Sequence, residues 1–208
     1  MLLYFRESLL FDLQNGTNTH LRVPKPDVDG SVERQDGLLY VASLTNVVRN
    51  TLRIARKHLG EARFSEAQFL DLGCGKGKAV LVYVKEFAPD KGPVALGIEY
   101  DQVLCSIAWK NLELMPSART RAKVHCDSAL NLDAYVTGGP LIVYLYNSFQ
   151  GETLRAVLAL LAKHEHMLIY VDPAERSVLQ AFGYTEIASH EGRYNASTWV
   201  VASRKGAR

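Results

Sequence analysis

The sequence is short of cysteine, of net charge and of long apolar runs. Cys74, Cys105 and Cys126 are its three cysteines, and no two of them form a C-x-x-C. That scarcity excludes a disulfide framework and a zinc ribbon. The thiols are expected to be reduced, in a cytoplasmic protein. The 24 Lys+Arg and 22 Asp+Glu leave a net charge of +2. This balance argues against a large basic face that drives nucleic-acid binding, although it leaves a local basic patch open. Nucleic acid is therefore not the expected partner. No run reaches the roughly 18 apolar residues that a membrane-spanning helix requires. In MLLYFRESLLFDL, Arg6 and Glu7 interrupt the apolar run and no small-residue cleavage site follows. The segment reads as an amphipathic helix rather than a secretory signal. Internal repeats and low-complexity stretches are absent too.

What is present is an ordinary globular composition. The 208 residues are 48% apolar and 22% charged. That is enough for one domain with a core of its own. The rings lean to tyrosine, with 10 Tyr against 7 Phe and 2 Trp. Tyrosine's polar tip suits the lining of a polar pocket.

Residues 14–37 are rich in Gly, Pro, Asn and Asp and read as a long loop. A loop of that length in a compact protein is usually functional or disordered. Residues 1–40 are thus expected to be an N-terminal helix and lid-like loop, in front of a domain spanning 41–208. Apolar spacing predicts helices over 43–59, 76–87, 102–114, 151–163 and 174–182. It predicts strands over 68–72, 94–99, 122–126, 141–146, 167–171, 184–189 and 197–203. Alternating strands and helices imply a doubly wound parallel α/β sheet with helices on both faces. The last two strands have no helix between them, only HEGRYNA, and should form an antiparallel hairpin. The expected sheet has seven strands, five parallel plus this C-terminal hairpin.

The most informative stretch is Asp71-Leu72-Gly73-Cys74-Gly75-Lys76-Gly77-Lys78, where a strand enters a glycine turn and a helix leaves it. A phosphate-binding P-loop needs G-x-x-x-x-G-K-[ST]. Leu72 and Ala79 break that pattern. A dinucleotide fingerprint needs G-x-G-x-x-G, and here the third glycine comes one residue early. Asp71 at the strand's end is a poor neighbour for a pyrophosphate but tolerates a cationic ligand. Glu99 ends the second predicted strand, where an acid can accept both hydroxyls of a ribose. Asp127, followed by Ser128, ends the third. Three consecutive strands therefore deliver an acid to the sheet edge at which open α/β sheets bind ligands.

Together these residues resemble class I S-adenosylmethionine-dependent methyltransferases, whose fold is a Rossmann-like seven-stranded sheet. The segment 71–77 resembles their motif I, Glu99 their ribose-binding acid, and Asp127-Ser128 the acidic position near the adenine amino group. The likeness runs from about residue 40 to the end. It extends to small bacterial members through Phe11-Asp12, Gly16-Thr17-Asn18-Thr19, Tyr40-Val41-Ala42-Ser43 and Tyr144-Leu145-Tyr146-Asn147-Ser148-Phe149. In those relatives the motif after the fourth strand is usually Tyr-Asn-Pro-Phe, and here Ser148 replaces the proline. The Tyr-x-x-Ser element is also similar to one in seven-strand lysine methyltransferases, where it helps cover the cofactor.

The resemblance implies S-adenosylmethionine as cofactor, S-adenosylhomocysteine as product, and no metal. It implies a cofactor site formed by Tyr40, Ser43, Asp71, Gly73, Gly75, Lys76, Gly77, Glu99, Tyr100, Asp127, Ser128 and Asn147. Lys76 or Lys78 can hold the methionine carboxylate, or both can project into water. Asn147, Tyr146 and Phe149 are the expected catalytic and acceptor-facing residues, with an amine nitrogen of a small metabolite or a protein lysine as acceptor. Asn147 can instead cap the following helix. Asp172 is expected at the same mouth, and His20, His190, Arg193 and Tyr194 are further candidates. Two rivals stay open. An NAD-dependent oxidoreductase shares the glycine–acid logic but not Asp71, the glycine spacing or the hairpin. A non-catalytic cofactor-binding or partner-binding protein would keep the fold without turnover.

Overall fold

The computed structural model describes residues 2–21, 40–192 and 197–204. Its elements are α1 (Leu2–Asn15), α2 (Thr45–Leu59), α3 (Glu61–Glu66), β1 (Gln68–Leu72), α4 (Lys78–Glu86), β2 (Ala95–Glu99), α5 (Gln102–Leu114), α6 (Pro116–Arg119), β3 (Ala122–Cys126), β4 (Leu141–Tyr146), α7 (Gly151–Leu161), β5 (His166–Val171), α8 (Val178–Ala181), β6 (Tyr184–His190) and β7 (Trp199–Arg204). A 3-10 turn, Ala129–Ala134, lies between β3 and β4.

The strands form one seven-stranded sheet in the order β3-β2-β1-β4-β5-β7-β6. Strands β1 to β5 run parallel, and β7 lies antiparallel between β5 and β6. This is the expected Rossmann-like topology with its terminal hairpin. Strand β1 pairs with β2 on one side and β4 on the other, so the chain's direction of winding reverses there. A crevice beyond the carboxyl ends of β1 and β4 follows from that reversal.

The central strands are apolar almost throughout because both of their faces are covered. On one face Phe69, Ile142, Tyr144 and Ile169 pack with Val48 and Leu52 of α2 and Leu81 of α4. On the other, Leu70, Val143, Leu145 and Leu168 pack with Leu154, Val157, Leu158 and Leu161 of α7. Each fully buried aliphatic side chain contributes about 1.5–3 kcal/mol.

Four details differ from the sequence reading. The helix after the glycine turn starts at Lys78 rather than 76, because Gly75 and Gly77 have φ of 55° and 81°. An α-helix cannot include such residues. The predicted helix over 174–182 is only the single turn α8. Its would-be first turn is drawn into other contacts, Glu175 accepting the Gly151 amide and Arg176 pairing with Glu186. Gly60 ends α2 as expected, but α3 begins at once and buries Phe64. Helix α1 extends to Asn15, into the expected loop, of which residues 22–37 lie outside the described residues.

Phe69 is fully buried and stacks on Tyr83 with ring centroids 4.4 Å apart. Phe69→Ala is expected to cost about 3–5 kcal/mol in a urea titration. A loss below about 1 kcal/mol would contradict this packing.

Candidate cofactor and acceptor site

The glycine turn closes directly above β1. Gly73 and Cys74 donate their amides to the Ile98 carbonyl at 2.8 and 3.1 Å. Two glycines are required by close approach as well as by positive φ. A Cβ on Gly73 would lie 2.3 Å from Ser148 Cβ, and one on Gly75 would lie 2.3 Å from the Tyr40 ring. The turn is thus clasped between the loop after β4 and the segment before α2.

Two buried carboxylates face this turn. Glu99 accepts the Gly75 amide at 2.8 Å and the Asp101 amide at 3.0 Å, one on each oxygen. Burial still pushes its carboxyl above the ordinary value, against those two bonds. Asp71 is 3% exposed. Burial, then the nearby Glu99, raises its carboxyl well above the usual range. Asp127 reaches the same sheet edge in a different state. Its Oδ1 accepts from the Ser128 amide and Asn131 Nδ2, and its Oδ2 from the Tyr135 hydroxyl at 2.5 Å. Hydrogen bonds from Tyr135 and Asn131 hold its carboxyl below the ordinary value. Ser128 Oγ accepts the Leu130 amide and caps the 3-10 turn. Asp127 and Ser128 therefore shape their own loop at the crevice edge. Tyr100 is partly exposed there.

The loops after β4 and β5 run side by side. Tyr146 pairs with Val171, so Asn147 and Asp172 are the next residues on neighbouring strands. Both have left-handed backbones, with φ of 38° and 46°. Such non-glycine conformations cost roughly 1–3 kcal/mol and cluster at functional sites. Asn147 Oδ1 is buried without a hydrogen-bond partner. Asp172 Oδ1 accepts the Thr198 amide at 2.8 Å, tying β5 to the hairpin. Ser148 Oγ donates to the Leu72 carbonyl at 3.0 Å. Tyr146 is half-buried beside them. Phe149, expected against the acceptor, is instead 7% exposed within the core on the α7 side, where it anchors the loop.

The two lysines need correction as well. Neither projects into water. Lys76 is 1% exposed and donates to the Leu21 carbonyl at 2.7 Å. Lys78 places its Nζ 3.8 Å from the Phe11 ring centroid, and burial lowers its amine to about 7. Both contact the N-terminal segment.

That segment holds residues the sequence reading did not assign. Asp12 is 3% exposed and accepts from Thr17 Oγ1, Thr19 Oγ1, the Thr19 and His20 amides, and His20 Nδ1, all at 2.7–2.8 Å. Burial alone would raise its carboxyl, but the bonds from Thr17, His20 and Thr19 outweigh that and lower it. His20 is therefore held by Asp12. Asn111 on α5 accepts the Asn18 amide and donates to the Lys76 carbonyl. Tyr40 donates to the Thr19 carbonyl at 2.6 Å while its ring covers Gly75. Ser43 accepts from the Tyr144 hydroxyl beneath. An acid followed by Gly-Thr-x-Thr was a readable signal for Asp12, whereas Asn111 has none. His190 stacks on Trp199, and Arg193 and Tyr194 lie outside the described residues.

No protein-family model matches the chain, and no curated protein matches it. Solved structures do. Magnesium protoporphyrin IX methyltransferase from Synechocystis, with S-adenosylmethionine bound, superposes with a TM-score of 0.57 at 12% identity, covering 98% of this chain and 95% of its own. An rRNA methylase from Streptococcus thermophilus gives 0.52 at 13% identity, covering 74% and 96%. TrmK of M. capricolum, with S-adenosylhomocysteine, gives 0.56 at 12% identity, covering 76% and 67%. The chain has the seven-strand Rossmann-like fold of these methyltransferases. One of them is named an rRNA methylase, so the fold comparison does not support the expectation that nucleic acid is not a partner.

With its value raised above 3.8, Asp71 favours folding most below that pH. Its contribution is lost as pH rises through the raised value. Asp71→Asn should flatten this loss and raise the melting temperature of the ligand-free protein at neutral pH by roughly 2–4 °C, equivalent to about 1 kcal/mol. A lower melting temperature would show that the carboxylate is stabilised by something else.

Proposed function

We propose that the chain is an S-adenosylmethionine-dependent methyltransferase. The observation that carries this reading is the pair of buried carboxylates, Asp71 beside Glu99, under the glycine turn. Burying two acids side by side is costly, and a ligand bringing positive charge and hydroxyl donors relieves it. S-adenosylmethionine has both, in its ammonium and sulfonium groups and its ribose.

The residues fit such a ligand. Asp71 would hold the ammonium, and Glu99 the ribose hydroxyls through the lone pairs its two amide bonds leave. Tyr40 would close the crevice over Gly75. Tyr100 and the Asp127–Ser128 loop would flank the adenine. When bound, the cofactor supplies an electrophilic methyl group on sulfur. The protein's part is alignment and exclusion of water. Asn147 Oδ1, buried and without a partner among the described residues, would accept an N–H of an acceptor amine and turn its lone pair toward the methyl. The acceptor we favour is therefore an amine nitrogen, on a small metabolite or a protein lysine. A nucleobase amine in RNA is the second reading, favoured by the rRNA methylase among the fold neighbours.

Calorimetric titration with S-adenosylhomocysteine tests the cofactor assignment. Glu99→Ala should weaken binding at least about tenfold, or 1.4 kcal/mol. Unchanged affinity would remove the ribose role, and NAD binding in place of the homocysteine product would overturn the whole reading. A labelled-methyl assay on lysate fractions, with and without ribonuclease, separates the acceptor classes. With the acceptor found, Asn147→Ala should lower transfer by about a hundredfold while product affinity stays nearly constant. Equal transfer by the variant would reduce Asn147 to a backbone role.

A further inference from the structure

A pair of thiols lies on the outer flank of the Glu99 strand end. Cys105, in the first turns of α5, is fully buried and donates its S–H to the Glu99 carbonyl at 3.1 Å. Cys126 ends β3, is paired in register with Glu99, and is exposed because β3 is an edge strand. Its Sγ lies 3.9 Å from the Tyr100 carbonyl. Burial, then hydrogen bonding with Cys126, raises the Cys105 thiol. Both sulfurs therefore rest on the same short stretch of backbone, from Glu99 to Asp101.

We propose that Cys105 and Cys126 are a redox-modification site, joined by peroxide into a reversible disulfide that weakens ligand binding at Glu99. The disulfide itself rests on the two thiols alone, and only its consequence depends on the proposed cofactor site. Exposure decides the order of events. Peroxide meets Cys126, whose sulfur attacks the O–O bond and becomes a sulfenic acid, releasing one water. Cys105 sulfur then attacks the Cys126 sulfur. The S–S bond forms, the sulfenic hydroxyl leaves, and the Cys105 proton completes the second water. Two thiols and one hydrogen peroxide thus give one disulfide and two waters. Burial keeps Cys105 protonated until this step, so it acts as the resolving partner rather than as the first target.

Closing the sulfurs to about 2.05 Å staples α5 to β3 across the peptide between them. The Glu99 carbonyl loses the Cys105 donor and keeps the Asp127 amide at 2.9 Å. Asp101, whose amide holds the Glu99 carboxylate, also N-caps α5, so a shift of α5 reaches that carboxylate directly.

The test treats the full chain with hydrogen peroxide, alkylates it and maps the peptides by mass. The expected product is a Cys105–Cys126 linked peptide lighter by two hydrogens, absent after dithiothreitol and absent in Cys126→Ser. Affinity for S-adenosylhomocysteine should fall about fivefold or more on oxidation, recover on reduction, and not respond to peroxide in the variant. A sulfinic Cys126 beside an alkylated Cys105, a link through Cys74, or a disulfide that leaves affinity unchanged would each overturn the proposal. If the reduced protein binds no S-adenosylhomocysteine, the cofactor reading fails, while the peptide masses still decide the pairing.

Discussion

Glu99 binds the glycine turn to the end of β2, and the geometry of the crevice depends on that bond. Its two oxygens take the Gly75 and Asp101 amides, so one side chain fixes the turn on one side and the start of α5 on the other. A carboxylate this deeply buried is held in place only by such donors. Because the turn is already formed, a ligand does not bear the cost of ordering it. Asp71, one strand away, is buried in the field of Glu99, which raises its carboxyl further.

The N-terminal segment continues this logic from the opposite side. Asp12 gathers the hydroxyls of Thr17 and Thr19, two amides and the His20 ring into a compact knot. The knot is bolted to α5 through Asn111 and to the glycine turn through Lys76 and Tyr40. A segment that reads as a lid from its composition is, over residues 12–21, a fixed wall. It also explains why the turn carries two lysines that oppose the helix dipole. Their role is contact with this wall, at Leu21 and Phe11, and the dipole penalty is small beside the packing they provide.

The sheet was readable because buried parallel strands leave apolar runs such as LIVYLY, and the missing helix between the last two strands marks the hairpin. The acids at positions 71, 99 and 127 were readable because strand ends and glycine turns share one edge. What periodicity could not show was direction. Lys76 and Lys78 look like solvent-facing residues until the N-terminal segment is placed over them. Phe149 looks like a wall of the mouth until α7 claims it for the core. Asp127 reads as an adenine ligand, and its bonds from Tyr135 and Asn131, eight and four residues on, were not legible. Short-range side-chain bonds of this kind follow no sequence period.

The loop after β4 shows how a departure from the motif it resembles is absorbed. Serine at position 148 lacks the ring that stiffens the related motif, but its hydroxyl reaches back to the Leu72 carbonyl and its Cβ fills the space left by Gly73. The glycine and the serine are therefore complementary. The same close approach holds Asn147 at a φ of 38°, beside Asp172 at 46°. Two strained residues abreast on adjacent strands require restraint from both sides, and Ser148 and Thr198 supply it. The strain turns the Asn147 amide inward, where its oxygen is buried and unsatisfied. A helix cap would have spent that oxygen on a backbone amide of α7. Since the N-cap position of α7 is Gln150 and Asn147 makes no such bond, the oxygen is available to a donor brought into the crevice from outside.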